Sequence, residues 1–87
     1  MAERRVTIIN DLGLHARAAA KFVKLAQRFS ANVKVAKDGQ QVSGSSILGL
    51  MMLAAGPGDE IAISAEGSDA AEAVDTLADL VAAGFDE

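Results

Sequence analysis

NDLGLHARAAAKFVKLAQRFS, residues 10–30, opens as a turn, passes into a helical apolar stripe, and carries His15, the only histidine of the chain, at the joint. From Ala16 onward, Ala19, Phe22, Ala26 and Phe29 recur at intervals of three and four with Val23 beside them, which predicts a helix over 16–29 with one buried face. Arg17, Lys21, Lys24 and Arg28 step along another face as a basic ridge that begins beside His15. Upstream, RRVTII (4–9) sets Val6 and Ile8 against Thr7 and Ile9, the pattern of a first strand. Downstream, NVKVAK and QQVSG flank Asp38-Gly39, a pair suited to a turn that requires positive φ, and so predict a hairpin. SSILGLMMLAAGPG reads as a short helix that starts behind a serine cap and stops at Gly-Pro-Gly. EIAISAE (60–66) alternates like a half-buried strand. In the last stretch Asp69 and Glu72 form an acidic capping box, and Ala70, Val74, Leu77 and Val81 mark the buried line of a helix running up to Gly84. The order β-α-β-β-α-β-α predicts an α+β fold, a four-stranded antiparallel sheet with three helices on one face. The order of strands within the sheet does not follow from the pattern.

The 87 residues suffice for one domain, 1–87, and are too few for two. With no cysteine and one histidine, a disulfide framework and a thiolate zinc site are excluded. The glycines near 56–58 lack the lysine and Ser/Thr of a phosphate-binding loop, and no cofactor is expected. MAERRVTI has no apolar leader core, and ILGLMMLAA (47–55) is too short to span a bilayer. The expectation is a soluble cytoplasmic monomer without membrane partners.

Charge is segregated along the chain. All eight Lys and Arg lie within residues 1–37, which carry a net +6, whereas the rest carries ten carboxylates and no base. Such a molecule has a basic region that steers toward an acidic partner, unless the segregation is mere surface decoration. Nucleic acid is a poor candidate for that partner, because only three aromatics exist and two of them take core-like positions on the first helix.

If the first helix starts at Ala16, its first backbone N–H groups lack intrahelical partners and point toward the imidazole, with partial positive charge at that end. This environment favours a neutral, nucleophilic ring, and a dianion attached to it would meet N–H donors, Ala16 among them, and the Arg17 guanidinium. Gly13 permits a backbone geometry that a side chain would oppose. On these residues alone two readings stand: an acceptor of a phosphoryl group, or a polar loop residue at a helix start.

GLHARAAAKF (13–22) resembles the active-site signature of the histidine-containing phosphocarrier (HPr) family of the bacterial phosphotransferase system, whose usual form is Gly-Leu-His-Ala-Arg-Pro-Ala. SSILGLMMLAAGPGDEI (45–61) resembles the second motif of that family, and the similarity runs through the whole chain. The resemblance implies an open-faced β-sandwich of four antiparallel strands and three helices. It implies that enzyme I, charged by phosphoenolpyruvate, phosphorylates His15 on Nδ1, that Arg17 holds the phosphoryl oxygens, and that the group passes to a histidine of an EIIA-type acceptor. Ala18 stands where most members have proline, a difference that costs roughly 0.4–1 kcal/mol of stability while leaving a good helix former in place. In this respect the chain resembles regulatory or nitrogen-type phosphocarriers at least as much as those of sugar uptake.

ILGLMML (47–53) is apolar at every position except Gly49. Spacing turns Ile47, Leu50 and Leu53 inward and Leu48, Met51 and Met52 outward, although the pattern alone also admits a wholly buried segment. Flexible methionines beside a leucine suit a surface that docks several partners in turn. The family's docking face uses this helix beside the histidine, which implies that Ala20, Lys24, Ile47, Leu48, Met51 and Met52 meet enzyme I and its acceptors. Ser46 is an N-cap by position. In kinase-regulated members of the family the serine at this place is phosphorylated by HPr kinase/phosphorylase, and a cap tolerates an added phosphate. A different class of function is a regulatory binding module acting through Leu48 and Met51, gated by Ser46, with His15 incidental; the retained His15-Ala16-Arg17 favours the carrier.

Overall fold

The computed structural model describes residues 1–87. Its elements follow the order that the periodicities predict: β1 (Ala2–Thr7), α1 (Ala16–Ala26), β2 (Asn32–Lys37), β3 (Gln40–Ser43), α2 (Ile47–Met52), β4 (Glu60–Glu66) and α3 (Ala70–Ala82), with a closing 3-10 turn at Gly84–Asp86. The strands form one antiparallel sheet in the order β1-β4-β2-β3, so that β4 pairs on both edges, Val6 opposite Ile61 and Val35 opposite Ile63. Alternation then sorts the two faces. Val33, Val35, Ile61, Ile63 and Ala65 turn inward and join Phe22, Leu50, Val74, Leu77 and Val81 from the helices in one core. Each of the larger side chains among them, once buried, contributes about 1.5–3 kcal/mol against the entropy of ordering the chain. No helix is long and apolar enough to cross a membrane.

The hairpin turns at Asp38 and Gly39 with φ of 51° and 82°, the left-handed pair that a two-residue connection requires. Helix α1 starts at Ala16 as expected, and boundaries differ from expectation in β1 and at the far end of α1. The ladder holds β1 to residues 2–7, leaving Ile8 buried and Ile9 exposed beyond its end. Helix α1 ends at Ala26, because the chain tightens there: Arg28 N–H donates to the Leu25 carbonyl and Phe29 N–H to that of Ala26. Phe29 still packs against the core from outside the helix, and Arg28 lies past its last turn.

Asp69 does not form the expected capping box. Its carboxylate accepts from the Ser30 and Ala31 N–H groups, each at 2.8 Å, and no side-chain bond caps α3. Two converging backbone donors outcompete one helical donor for the same anion. Ile47 is likewise corrected, being 41% exposed rather than inward. The face of α2 seated on β3 runs through Gly49, where an added Cβ would stand 3.3 Å from the Val42 Cβ, and continues through Leu50 and Leu53. That close approach rotates Ile47 outward.

Ala54 follows α2 with φ of 54°, a left-handed geometry that costs a residue with a Cβ about 1–2 kcal/mol and that glycine adopts freely. Ala54 is exposed, so its methyl contributes little packing. Ala54→Gly is expected to stabilise the fold by about 1 kcal/mol after the larger unfolded-state entropy of glycine is discounted. A denaturant titration checks this; an unchanged or lower midpoint would mean that the strain is already relieved.

Candidate functional site

After β1, Ile8 donates its N–H to the Asp59 carbonyl and accepts from Gly58 N–H, both at 2.8 Å, which fixes where the following loop starts. Gly13 has φ of +60°, and a Cβ built there would lie 2.1 Å from the Ala55 oxygen. Only glycine passes this point, and Leu14 N–H then donates to the same Ala55 carbonyl at 3.0 Å while its side chain is buried. The loop is thereby stitched to the segment leaving α2, and His15 falls at the N-cap of α1 in extended backbone.

The His15 carbonyl accepts from Ala19 N–H at 2.9 Å, opening the helical ladder. The N–H groups of Ala16, Arg17 and Ala18, one turn earlier, have no helical carbonyl to bond. The imidazole does not cap them; Nδ1 makes no hydrogen bond, while Nε2 lies 2.5 Å from Oε2 of Glu87. The side chain of His15 is half-buried rather than fully exposed.

Glu87 is held from its other side. Its Oε1 accepts from the Asn10 amide nitrogen at 3.0 Å, and that same nitrogen donates to the Gly13 carbonyl at 2.9 Å. Asn10 is buried and its Oδ1 has no partner. The Asn10 hydrogen bond, followed by those of the imidazole and the charge of Lys21, keeps the Glu87 carboxyl below its ordinary range against the opposing effect of desolvation. Lys21 donates to the Phe85 carbonyl at 2.7 Å, so this member of the basic ridge clasps the closing turn instead of facing solvent freely.

Around the ring lies an open depression of ≈ 740 Å³, lined by Leu12, His15, Ala16, Arg17, Lys21, Asp86 and Glu87. Arg17 is exposed at its edge and forms no ion pair. A ring nitrogen without a protein partner, backbone donors without helical acceptors and an exposed guanidinium thus share one mouth. Chemically, this suits an incoming tetrahedral dianion.

The remaining residues singled out from sequence lie outside the depression. Ala20 and Lys24 are exposed on α1. Ser46 caps α2, its Oγ accepting from Gly49 N–H at 2.9 Å. Leu48 and Met52 are 68% and 62% exposed, with Ile47 and Met51 beside them, on a helix that packs against α1. Sequence reasoning missed Asn10 and Glu87. Glu87 stands 72 positions from His15, and an acidic residue in an acidic tail gives no local signal of such a contact.

Residues 2–83 match the PTS-HPr family model, described as the PTS HPr component phosphorylation site. The phosphocarrier protein HPr of Cupriavidus necator is 49% identical over 87 residues, which are 100% of this chain and 98% of that relative. The phosphocarrier protein NPr of Shewanella violacea is 47% identical over 85 residues, 98% of this chain and 93% of that one. Among solved structures, HPr-C-His from Thermoanaerobacter tengcongensis has a TM-score of 0.95 at 44% identity, covering 100% of this chain and 98% of that one. An HPr dimer from the same organism has a TM-score of 0.79 at 44% identity, covering 100% of both chains.

Gly13→Ala combines left-handed strain with a collision against backbone, for an expected loss of about 2–5 kcal/mol. In a domain of this size that lowers the thermal midpoint by at least about 8 °C. Calorimetry measures it, and a midpoint within a degree or two of wild type would show that the Ala55 contact is dispensable.

Proposed function

The chain belongs to the HPr phosphocarrier family of the phosphotransferase system, and from that premise we propose that it carries a phosphoryl group on His15, taken from enzyme I and passed to an EIIA-type acceptor. The observation that supports this best is the free Nδ1 of His15 at the start of α1, with the unpaired N–H groups of Ala16, Arg17 and Ala18 behind it. Nδ1 attacks phosphorus, and the phosphoryl oxygens, at close to two negative charges, settle against the helix N-terminus with Arg17 closing over them. No turnover occurs on the chain alone, since the group rests on its own side chain until an acceptor removes it. It is a carrier rather than a catalyst.

On this reading the chain works as a monomer whose partners dock around the histidine. Ile47, Leu48, Met51 and Met52 supply the apolar contact, and Ala20 and Lys24 the adjoining surface of α1. Lys24, Arg17 and Arg28 give that side a positive field which attracts an acidic partner. The carrier works in the cytoplasm. Relatives bear both the HPr and the NPr name, and Ala18, fully buried in the first turn of α1, is compatible with either branch.

Ser46 is the regulatory position, phosphorylated by HPr kinase/phosphorylase. Its hydroxyl already lies at the α2 N-terminus, where an anion replaces a neutral acceptor without opposing the helix. The cost falls on docking, because a dianion beside Leu48 and Met51 repels an acidic partner and is expensive to desolvate.

Incubation with enzyme I and phosphoenolpyruvate is expected to give acid-labile phosphate on the wild type and none on a folded His15→Ala. Arg17→Ala retains labelling at a rate about 10- to 100-fold lower, the loss of one charged hydrogen-bond partner. A wild type that takes no label beside a competent HPr control would overturn the carrier reading. For the serine, Ser46→Asp is expected to keep or raise the melting temperature and to slow His15 labelling at low salt. Initial rates beside a melting curve decide this, and equal rates would remove Ser46 from the control of docking.

A further inference from the structure

We propose that Glu87 is a positioning residue for the phosphoryl transfer: it keeps the proton of the His15 ring on Nε2, so that Nδ1 holds the lone pair that attacks phosphorus. The proposal rests on the carrier reading above and adds a residue to it.

The argument is one of donors and acceptors. Asn10 Nδ2 donates to the Gly13 carbonyl at 2.9 Å, which sets the orientation of the buried amide; reversed, it would place Oδ1 against another oxygen. The amide nitrogen therefore also faces Glu87 as a donor, at 3.0 Å. The other oxygen of Glu87 meets Nε2 of His15 at 2.5 Å. Whatever fills position 87 must accept on both sides, and an ionised carboxylate is the side chain that only accepts. An acceptor against Nε2 requires the proton on that nitrogen, and in a neutral ring this leaves Nδ1 bare. Nδ1 is also the nitrogen without a partner on the protein.

The placement of the segment serves the same end. Lys21 ties the Phe85 carbonyl at 2.7 Å, Phe85 is fully buried, and Gly84, Phe85 and Asp86 all take positive φ, which bends residues 84–87 back across the mouth of the site. Arg17, Lys21 and Asp86 are the other charged groups that line the depression, and none of them is bonded to the ring.

During transfer the Nδ1 lone pair forms the bond to phosphorus, the bond between phosphorus and the donor breaks, and its electron pair leaves with the donor. The ring retains the Nε2 proton and gains a positive charge, which the adjacent Glu87 carboxylate balances. No electron or proton needs another source.

Glu87→Gln breaks the pattern at one atom, because an amide offers one acceptor and one donor. If its nitrogen faces His15, Nε2 must accept and the proton moves to Nδ1; if its oxygen does, two donors oppose each other at Asn10. The test uses the full chain, with phosphoramidate as a small donor that requires no docking. The readouts are the ¹⁵N shifts of the neutral ring, which report the tautomer, and the initial rate of Nδ1 phosphorylation, with an amide spectrum to confirm the fold. Relative to wild type, Glu87→Gln is expected to populate the Nδ1–H tautomer and to react several-fold more slowly at Nδ1. An unchanged tautomer balance, or a changed balance with an unchanged rate, would overturn the assignment of Glu87. A wild type that reacts with phosphoramidate but takes nothing from enzyme I would instead overturn the carrier reading, and the two phosphoramidate readouts would still judge Glu87 on their own.

Discussion

The double pairing of β4, with β1 on one edge and β2 on the other, is the constraint from which the remaining geometry follows. It joins the beginning of the chain to a strand some sixty residues later and so lays the exit of β1 beside the approach to β4. Ile8 exchanges hydrogen bonds with Gly58 and Asp59, and the loop beyond it is carried against Ala55. Only then does Gly13 become a position that no other residue can fill. The histidine at the start of α1 is placed by a sheet pairing to which it contributes nothing, and hydrophobic burial of Ile61, Ile63 and Ala65 holds that pairing together.

The closing segment poses an energetic question, because Phe85 and Asp86 both hold left-handed backbone that costs each about 1–2 kcal/mol. Complete burial of the Phe85 ring offsets about 1.5–3 kcal/mol of this, and the charged hydrogen bond from Lys21 to its carbonyl adds a similar amount. The balance is favourable by a small margin only.

Charge follows a related division of labour. Arg4 pairs with Asp75 and Arg5 with Glu60, at 3.3 and 3.4 Å, and these exposed contacts are worth at most about 1 kcal/mol apiece. Lys37, by contrast, is largely covered, reaching Asp59 at 3.3 Å as well as the carbonyls at the end of α2; the Gly56 N–H first, and then Lys37, hold the Asp59 carboxyl below its usual range. Stability from such a carboxylate is present above its unfolded titration and fades as pH falls through the folded one. On α1 the pattern differs, since Arg17, at the edge of the depression, and Lys24, outside it, form no ion pair. Arg4, Arg5 and Lys37 are thus paired within the fold, whereas Arg17 and Lys24 have no acidic partner on the chain.

The amino-acid sequence by itself determined the four strands, the three helices and their order, the hairpin at Asp38-Gly39, the cap at Ser46 and the position of His15 at a helix start. Each of these is a local matter: alternation, helical spacing, a left-handed φ or a side chain bonding the next turn operates within about four residues, where neighbours are known from the chain itself. Only the tertiary structure decided that β4 lies between β1 and β2, that Asp69 serves Ser30 and Ala31 rather than its own helix, that Gly49 presses α2 onto β3 and turns Ile47 outward, and that Glu87, held by Asn10, meets the imidazole. Asp69 reaches across 39 and 38 positions and Glu87 across 72. At such separations a carboxylate has the same local pattern whichever donor it finds, and its partner is chosen by how the chain closes around its core.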